Sequence, residues 1–272
     1  MLLSLVLLGT ACGSTTTDGT RATAQETSNA PSSDGPTTTT PRRGTPAPAS
    51  ISKDLASVPL PAIVAATTAG TSVNPLKPIS DGTLRTKDGK PEVLYIGGEF
   101  CPYCAGERWP LTVALSKFGT FSDLHLIHSA ESNVPTLTYV GSTYTSPYVT
   151  FTPVEMKGNE PSGNGWADLQ TATDEQRKLL NGRGQGSFPF IDFGGMAVQS
   201  GGSVDMSTLI GKSQADIAST LAASTTKDTD QATIQGNVNL VAGQFIRMIC
   251  ELTGDQPADV CSAFPAPTPA PA

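Results

Sequence analysis

Val93-Leu94-Tyr95-Ile96-Gly97-Gly98-Glu99-Phe100-Cys101-Pro102-Tyr103-Cys104 is the stretch on which the reading of this chain turns. Residues 93–96 form a short apolar run, as a buried strand requires. Gly97-Gly98 ends it. Trp109, Val113 and Leu115 then lie close to one face of a helix expected to run to about Phe118. Residues 124–127 are the next strand candidate. The order strand, Cys-Pro-Tyr-Cys, helix, strand predicts a βαβ unit with parallel strands. Cys101 falls at the helix N-terminus, where unpaired amides and the positive end of the macrodipole favour a thiolate. Cys104 lies within the first turn, close enough to close a disulfide. Cys101 is therefore read as the attacking thiol and Cys104 as the resolving thiol. Pro102 suits the first helical position because it has no amide hydrogen to orphan.

Working outward, Lys87-Asp88-Gly89-Lys90 is a hairpin signal. Before it, Leu55, Val58, Ile63 and Val64 suggest one or two short helices interrupted by Pro59 and Pro61. Beyond the motif, residues 136–140 and 149–154 read as strands, and residues 166–180 as helical. Residues 188–193 form a strand that opens with Pro189, followed by a Gly194-Gly195 turn and a hairpin partner at 196–199. Two helices are expected after that. One spans 207–221, with Leu209, Ile210, Ile217 and Leu221 as its apolar members, and the other 232–252.

The 272 residues carry a net charge of −7 and no block of lysine and arginine, which argues against a nucleic-acid partner. Residues 1–11 are apolar and uncharged, the length of a signal-peptide core and too short to span a bilayer. Small residues precede Cys12, as in bacterial lipoprotein signals whose cysteine carries the lipid. Gly9 stands where such signals usually have leucine, and no basic residues precede the apolar run. Residues 1–12 are thus expected to be a signal, lipoprotein or membrane-anchor segment, with Cys12 as the lipidation site. Residues 13–50, rich in threonine, serine and proline, read as a disordered tether. Residues 51–264 are the folded domain and residues 265–272 a disordered Pro/Ala tail. The expected location is extracytoplasmic, either membrane-attached through the N-terminus or secreted.

Five cysteines are present. Besides Cys12 they form two local pairs, Cys101/Cys104 and Cys250/Cys261. A zinc site would have to combine both pairs, and the ten-residue gap in the second is not that of a zinc knuckle. His125 and His128, the two histidines, fall on opposite faces of one strand. Neither metal nor cofactor is expected. A purely structural bridge at Cys101/Cys104 is the competing reading. Cys250 near the end of the last helix and Cys261 after a loop would form a bridge that pins the helix end, worth ~2–4 kcal/mol. A relay of disulfides between the two pairs is the alternative there.

In thioredoxin folds a proline with a cis peptide bond opens the strand facing the Cys-x-x-Cys motif and shapes the substrate groove. Pro189 occupies that place in the element order. It joins Cys101 and Cys104 as a candidate catalytic residue, with Phe188, Pro102 and Tyr103 as candidate substrate contacts.

Several blocks carry a family resemblance. They are residues 92–97 leading into Phe100 and the motif, Glu107-Arg108-Trp109, residues 117–122, 144–148, 151–155 and 186–192, Ile249-Cys250, Leu252-Thr253-Gly254 and Cys261. This set resembles the family catalogued as domain of unknown function 929, over roughly residues 55–262. The resemblance implies an α/β, thioredoxin-like fold in an exported or membrane-attached protein with no assigned substrate. On the element order above, that fold carries an insertion between the βαβ unit and the cis-Pro strand, plus an extra C-terminal helix. The Pro-Tyr pair inside the motif is similar to that of glutaredoxins, but its flanks are not. Tyr95 stands where thioredoxins usually carry a buried aspartate. Glu99 and Glu107 are the nearest acids and are expected to be solvated. Arg108 either favours the thiolate or pairs with an acid, and Trp109 is expected in the core. The expected activity is thiol-disulfide exchange with protein thiols and disulfides, with a membrane redox partner to recharge the dithiol. The alternative is a non-catalytic binding or scaffold module. A metal chaperone would want nearby methionines or histidines, and these are scarce.

Overall fold

The computed structural model describes residues 44–70 and 72–264. The expected leader, Cys12, residues 13–43 of the tether and the 265–272 tail lie outside the described residues. Ordered structure starts earlier than residue 51. Strand β1 (Thr45–Pro46) pairs antiparallel with Leu126 and His125. Helix α1 (Ala49–Ser57) buries Ile51 and Leu55. Composition misplaces this boundary because backbone pairing to a distant strand leaves no mark on the local residue types. Pro59 precedes α2 (Leu60–Ala69) and Pro61 lies in its first turn, where no helical hydrogen bond is lost.

Short strands β2 (Lys77–Pro78) and β3 (Thr86–Lys87) follow. Asp88 and Gly89, with φ of 54° and 74°, form the two-residue hairpin that leads into β4 (Lys90–Gly98). From Val93 to Gly98 every β4 residue is buried, as expected of a strand covered on both faces. Cys101 is the N-cap of α3 (Pro102–Leu115), which is buried throughout except at Tyr103. Pro110 inside it cannot donate to the Gly106 carbonyl, so packing on all sides rather than a complete hydrogen-bond ladder holds this helix.

After α3 the chain leaves the main sheet. It forms β5 (Thr120–Ser122), β6 (His125–His128), β7 (Pro135–Thr138) and β8 (Thr143–Thr145). β5 pairs with β8, and β6 pairs antiparallel with β7 and β1. Only then does β9 (Thr150–Ser162) lie parallel to β4, with Leu94 opposite Thr152. Residues 124–127 are therefore not the parallel strand expected from the sequence. An apolar run announces a strand without naming its partner. The insertion sits inside the βαβ crossover, not after it. β10 (Gly165–Asp168) folds back on β9, so Trp166 is in a strand rather than a helix. Helix α4 (Asp174–Gly182) begins only where Thr173 and Gln176 form a reciprocal capping box.

β11 (Phe190–Phe193) pairs antiparallel with β4 and with β12 (Ala197–Ser200). The sheet order is β10-β9-β4-β11-β12-β2, with β3 on the far end of β4. The expected 207–221 helix is two pieces, a 3-10 turn at Met206–Leu209 and α5 (Gln214–Ala222). Gly211 at φ 77° separates them, and Ile210 is exposed instead of apolar-packed. The long α6 (Thr229–Thr253) and short α7 (Ala258–Cys261) end the domain. Phe245 of α6 packs on Phe193 of β11 at 5.2 Å between ring centres. The result is a mixed α/β fold. Among the described residues no helix is long and apolar enough to cross a membrane.

Candidate functional site

The dithiol sits where the central strand hands over to the buried helix. The Cys101 sulfur accepts a hydrogen bond from the Cys104 backbone N–H at 3.3 Å. Both thiols are free. Cys101 is 5% exposed and Cys104 fully buried. A hydrogen bond from the Cys104 side chain is the largest influence on the Cys101 thiol. Together with the Cys104 and Tyr103 amides and the Arg108 charge, it outweighs burial and lowers that thiol to about 7. Burial pushes the Cys104 thiol well up, and its own hydrogen bond to Cys101 pushes in the same direction. The motif thus holds one thiol poised to ionise and one that stays protonated.

A buried ion pair lies within the same layer. Arg108 Nε and Nη2 each donate to the Glu155 carboxylate at 2.8 Å, and Nη2 also donates to the Gly98 carbonyl at 2.9 Å. Neither side chain is exposed to solvent. Arg108 therefore fulfils both sequence expectations, pairing with an acid and adding positive charge near the sulfurs. Glu155 was not singled out in the sequence. The available signal was Arg108 itself: an arginine on a helix buried all round needs a carboxylate, but only the pairing of β9 with β4 identifies which one.

Glu99 and Glu107 are both buried, correcting the expectation that they are solvated. Thr138 Oγ1 donates to Glu99 at 2.5 Å, and burial raises that carboxyl. Glu107 accepts from the Ser203 N–H at 2.8 Å and the Ser203 hydroxyl at 2.6 Å. Burial overrides these bonds and raises Glu107 to about 7. Solvation was expected from residue type alone, whereas the loop carrying Ser203 closes over this face of α3. Trp109 is in the core, its Nε1 donating to the Pro135 carbonyl at 3.1 Å.

The Phe188-Pro189 peptide bond is cis. Phe190 pairs with Ile96, so Pro189 stands one residue beyond that pair, at the end of β4 from which the motif departs. The Pro189 carbonyl accepts from the Gly201 N–H at 2.8 Å. At neighbouring Gly202 a Cβ would fall 3.1 Å from the Tyr103 ring, so Tyr103 lies directly on this loop. Tyr103 is 54% exposed, whereas Pro102 is buried. Of the two residues inside the motif, only Tyr103 presents its side chain to solvent, and Pro102 is the buried first residue of the helix. Phe188 is half-buried against the small apolar cluster around Leu94 and Ile96. On the β9–β10 side of β4, Phe100 stacks on Trp166 at 5.4 Å and 17°.

Far along the chain, Cys250 and Cys261 are joined, with 5.6 Å between their Cα atoms. The bridge ties the last turn of α6 to α7. Among the described residues no cluster of three or more His, Cys, Asp or Glu side chains could hold a metal ion.

Residues 80–164 match the model of a family described as a domain of unknown function, DUF929. Over that segment the chain is similar to the DUF929 family. The match spans β4, the Cys-Pro-Tyr-Cys motif, α3, the inserted strands and β9 with Glu155. No curated protein and no solved structure matches the chain. The paired thiols and the Arg108–Glu155 ion pair both fall inside the DUF929 segment, whereas Pro189 and the Cys250–Cys261 bridge lie beyond it.

Proposed function

We propose that this protein is an extracytoplasmic thiol-disulfide oxidoreductase that acts on protein thiols and disulfides through Cys101 and Cys104. The observation that carries this reading is the inequality of the two thiols. Cys101, at the helix N-terminus and lowered to about 7, is the nucleophile. Cys104, buried and protonated, waits to resolve the mixed disulfide. The electrons travel in the sulfur–sulfur bond, so no cofactor is needed.

The strand order β9-β4-β11-β12 supports a thioredoxin-like reading of the fold. So does a dithiol at the end of β4 with Pro189 opposite. Tyr103 and Pro189, both held against the Gly201–Gly202 loop, mark the flank of the motif where an extended substrate segment would dock. The Cys250–Cys261 bridge favours an oxidising compartment, in keeping with the N-terminal export signal and Cys12 lipidation read from the sequence. A membrane redox partner would recharge the dithiol.

The test is equilibration of the purified protein in graded glutathione buffers, acid quench and thiol trapping, with Cys101→Ser as control. One couple should interconvert while Cys250–Cys261 stays inert. Iodoacetamide should label Cys101 at a rate that rises through about pH 7. A Cys101–Cys104 couple that never changes state across the biological range of potentials would sink the proposal in favour of the scaffold reading.

A further inference from the structure

We propose that Tyr95 is the positioning residue for the resolving thiol: its hydroxyl donates a hydrogen bond to the Cys104 sulfur as that sulfur becomes a thiolate, beside the buried charge of Arg108. This rests on the oxidoreductase reading above and names the groups that make Cys104 competent.

The reaction poses a specific problem. When a substrate cysteine is disulfide-bonded to Cys101, the Cys104 sulfur must attack the Cys101 sulfur. The bond from Cys101 to the substrate sulfur breaks, and its electron pair leaves with the substrate. The proton shed by Cys104 is matched by the one the departing substrate sulfur takes up. The cysteine pair is oxidised and the substrate reduced; the reverse direction passes through the same thiolate. Yet Cys104 is fully buried, and a bare thiolate there is costly.

The nearby carboxylates are committed elsewhere. Glu155 is held by Arg108, Glu107 by Ser203 and Glu99 by Thr138. Two buried polar atoms in this layer have no hydrogen-bond partner among the described residues, the Tyr95 hydroxyl and Arg108 Nη1. Unpartnered buried polar groups are uncommon and call for an explanation. Their placement supplies one. A Cβ on Gly97 would fall 2.3 Å from the Tyr95 hydroxyl and 3.0 Å from the Cys104 sulfur, so only glycine leaves these two groups a shared space. Arg108 follows Cys104 by one helical turn on α3, and its guanidinium carbon lies 5.9 Å from the Tyr95 ring centre. The remaining titratable groups around Tyr95 are Glu155 on β9, neutralised by Arg108, and Tyr139, whose ring packs edge-on at 5.3 Å. An ionised Cys104 sulfur is the acceptor that this placement offers the Tyr95 hydroxyl.

Tyr95→Phe tests this. In the Cys101→Ser background, thiolate absorbance should place the Cys104 midpoint about one pH unit higher with phenylalanine than with tyrosine. With both cysteines present, glutathione release from the Cys101 mixed disulfide should slow roughly ten-fold in stopped flow. The Cys101 alkylation profile should stay in place, and the urea midpoint should hold or rise because the lost hydroxyl had no partner. A merely structural Tyr95 would lower the urea midpoint and leave the Cys104 titration alone. An unchanged Cys104 titration and release rate would overturn the proposal. A shifted Cys104 titration in a chain that does not exchange glutathione would support the Tyr95–Cys104 contact and overturn the oxidoreductase reading, so the two failures are distinguishable.

Discussion

Cys101 and Cys250 are each 5% exposed and Cys261 is 6% exposed, yet the two cysteine pairs are built for opposite ends. Cys101 and Cys104 stand at the start of a helix, where unpaired amides and the macrodipole favour negative charge. Cys250 stands in the last turn of α6, where its carbonyl accepts from the Gly254 and Asp255 amides, and a helix end rich in carbonyls disfavours a thiolate. Burial does not distinguish the two pairs. The helix end and the charge beneath it do. The first pair also lies just beyond the end of the central strand, beside an ion pair, whereas the second fastens one helix to the next.

The comparison can be broken most forcefully at Arg108. Arg108→Met strands the buried Glu155 carboxylate and should cost about 3–5 kcal/mol in urea unfolding. It should also raise the midpoint of Cys101 alkylation, because the arginine charge is among the groups that lower it. A loss of stability with the Cys101 midpoint unmoved would confine Arg108 to architecture. Removing the other pair, as Cys250→Ser with Cys261→Ser, should cost ~2–4 kcal/mol of stability. Its alkylation and exchange kinetics at Cys101 should match the parent, and a change there would point to the relay between pairs. The smallest effect sharpens the first pair alone. Cys104→Ala removes the leading hydrogen bond to Cys101, so the alkylation midpoint should climb from about 7 toward the ordinary 9. The sign follows from thiolate content, with labelling at pH 7 slowing as less Cys101 is ionised. A midpoint that stays near 7 would show that the helix end and Arg108 suffice without Cys104.

Much of the site was legible because its chemistry is local. The strand, the glycine pair, the helix-starting proline and the three-residue spacing of the cysteines all act within one turn of chain. The hairpin at Asp88-Gly89 was legible for the same reason. What escaped the sequence were partnerships across long separations. Residues 124–127 announced a strand and gave no indication that β1 and β7 would be its neighbours. Trp166 fitted a helical pattern until β9 offered it an antiparallel edge. Glu99 and Glu107 carry charges that usually mean solvent, and only the enclosing loops and strands reveal that they are buried.

By itself, then, the sequence determined that Cys101 would cap a helix at the end of a buried strand with Cys104 one turn behind it. Those outcomes follow from backbone geometry and residue type. The tertiary structure decided that Arg108 would find Glu155, forty-seven residues away. It also decided that the Tyr95 hydroxyl and the Cys104 sulfur would share the space left open at Gly97. Burial strengthens charges and orphaned donors according to what surrounds them, and those surroundings exist only once distant strands have paired.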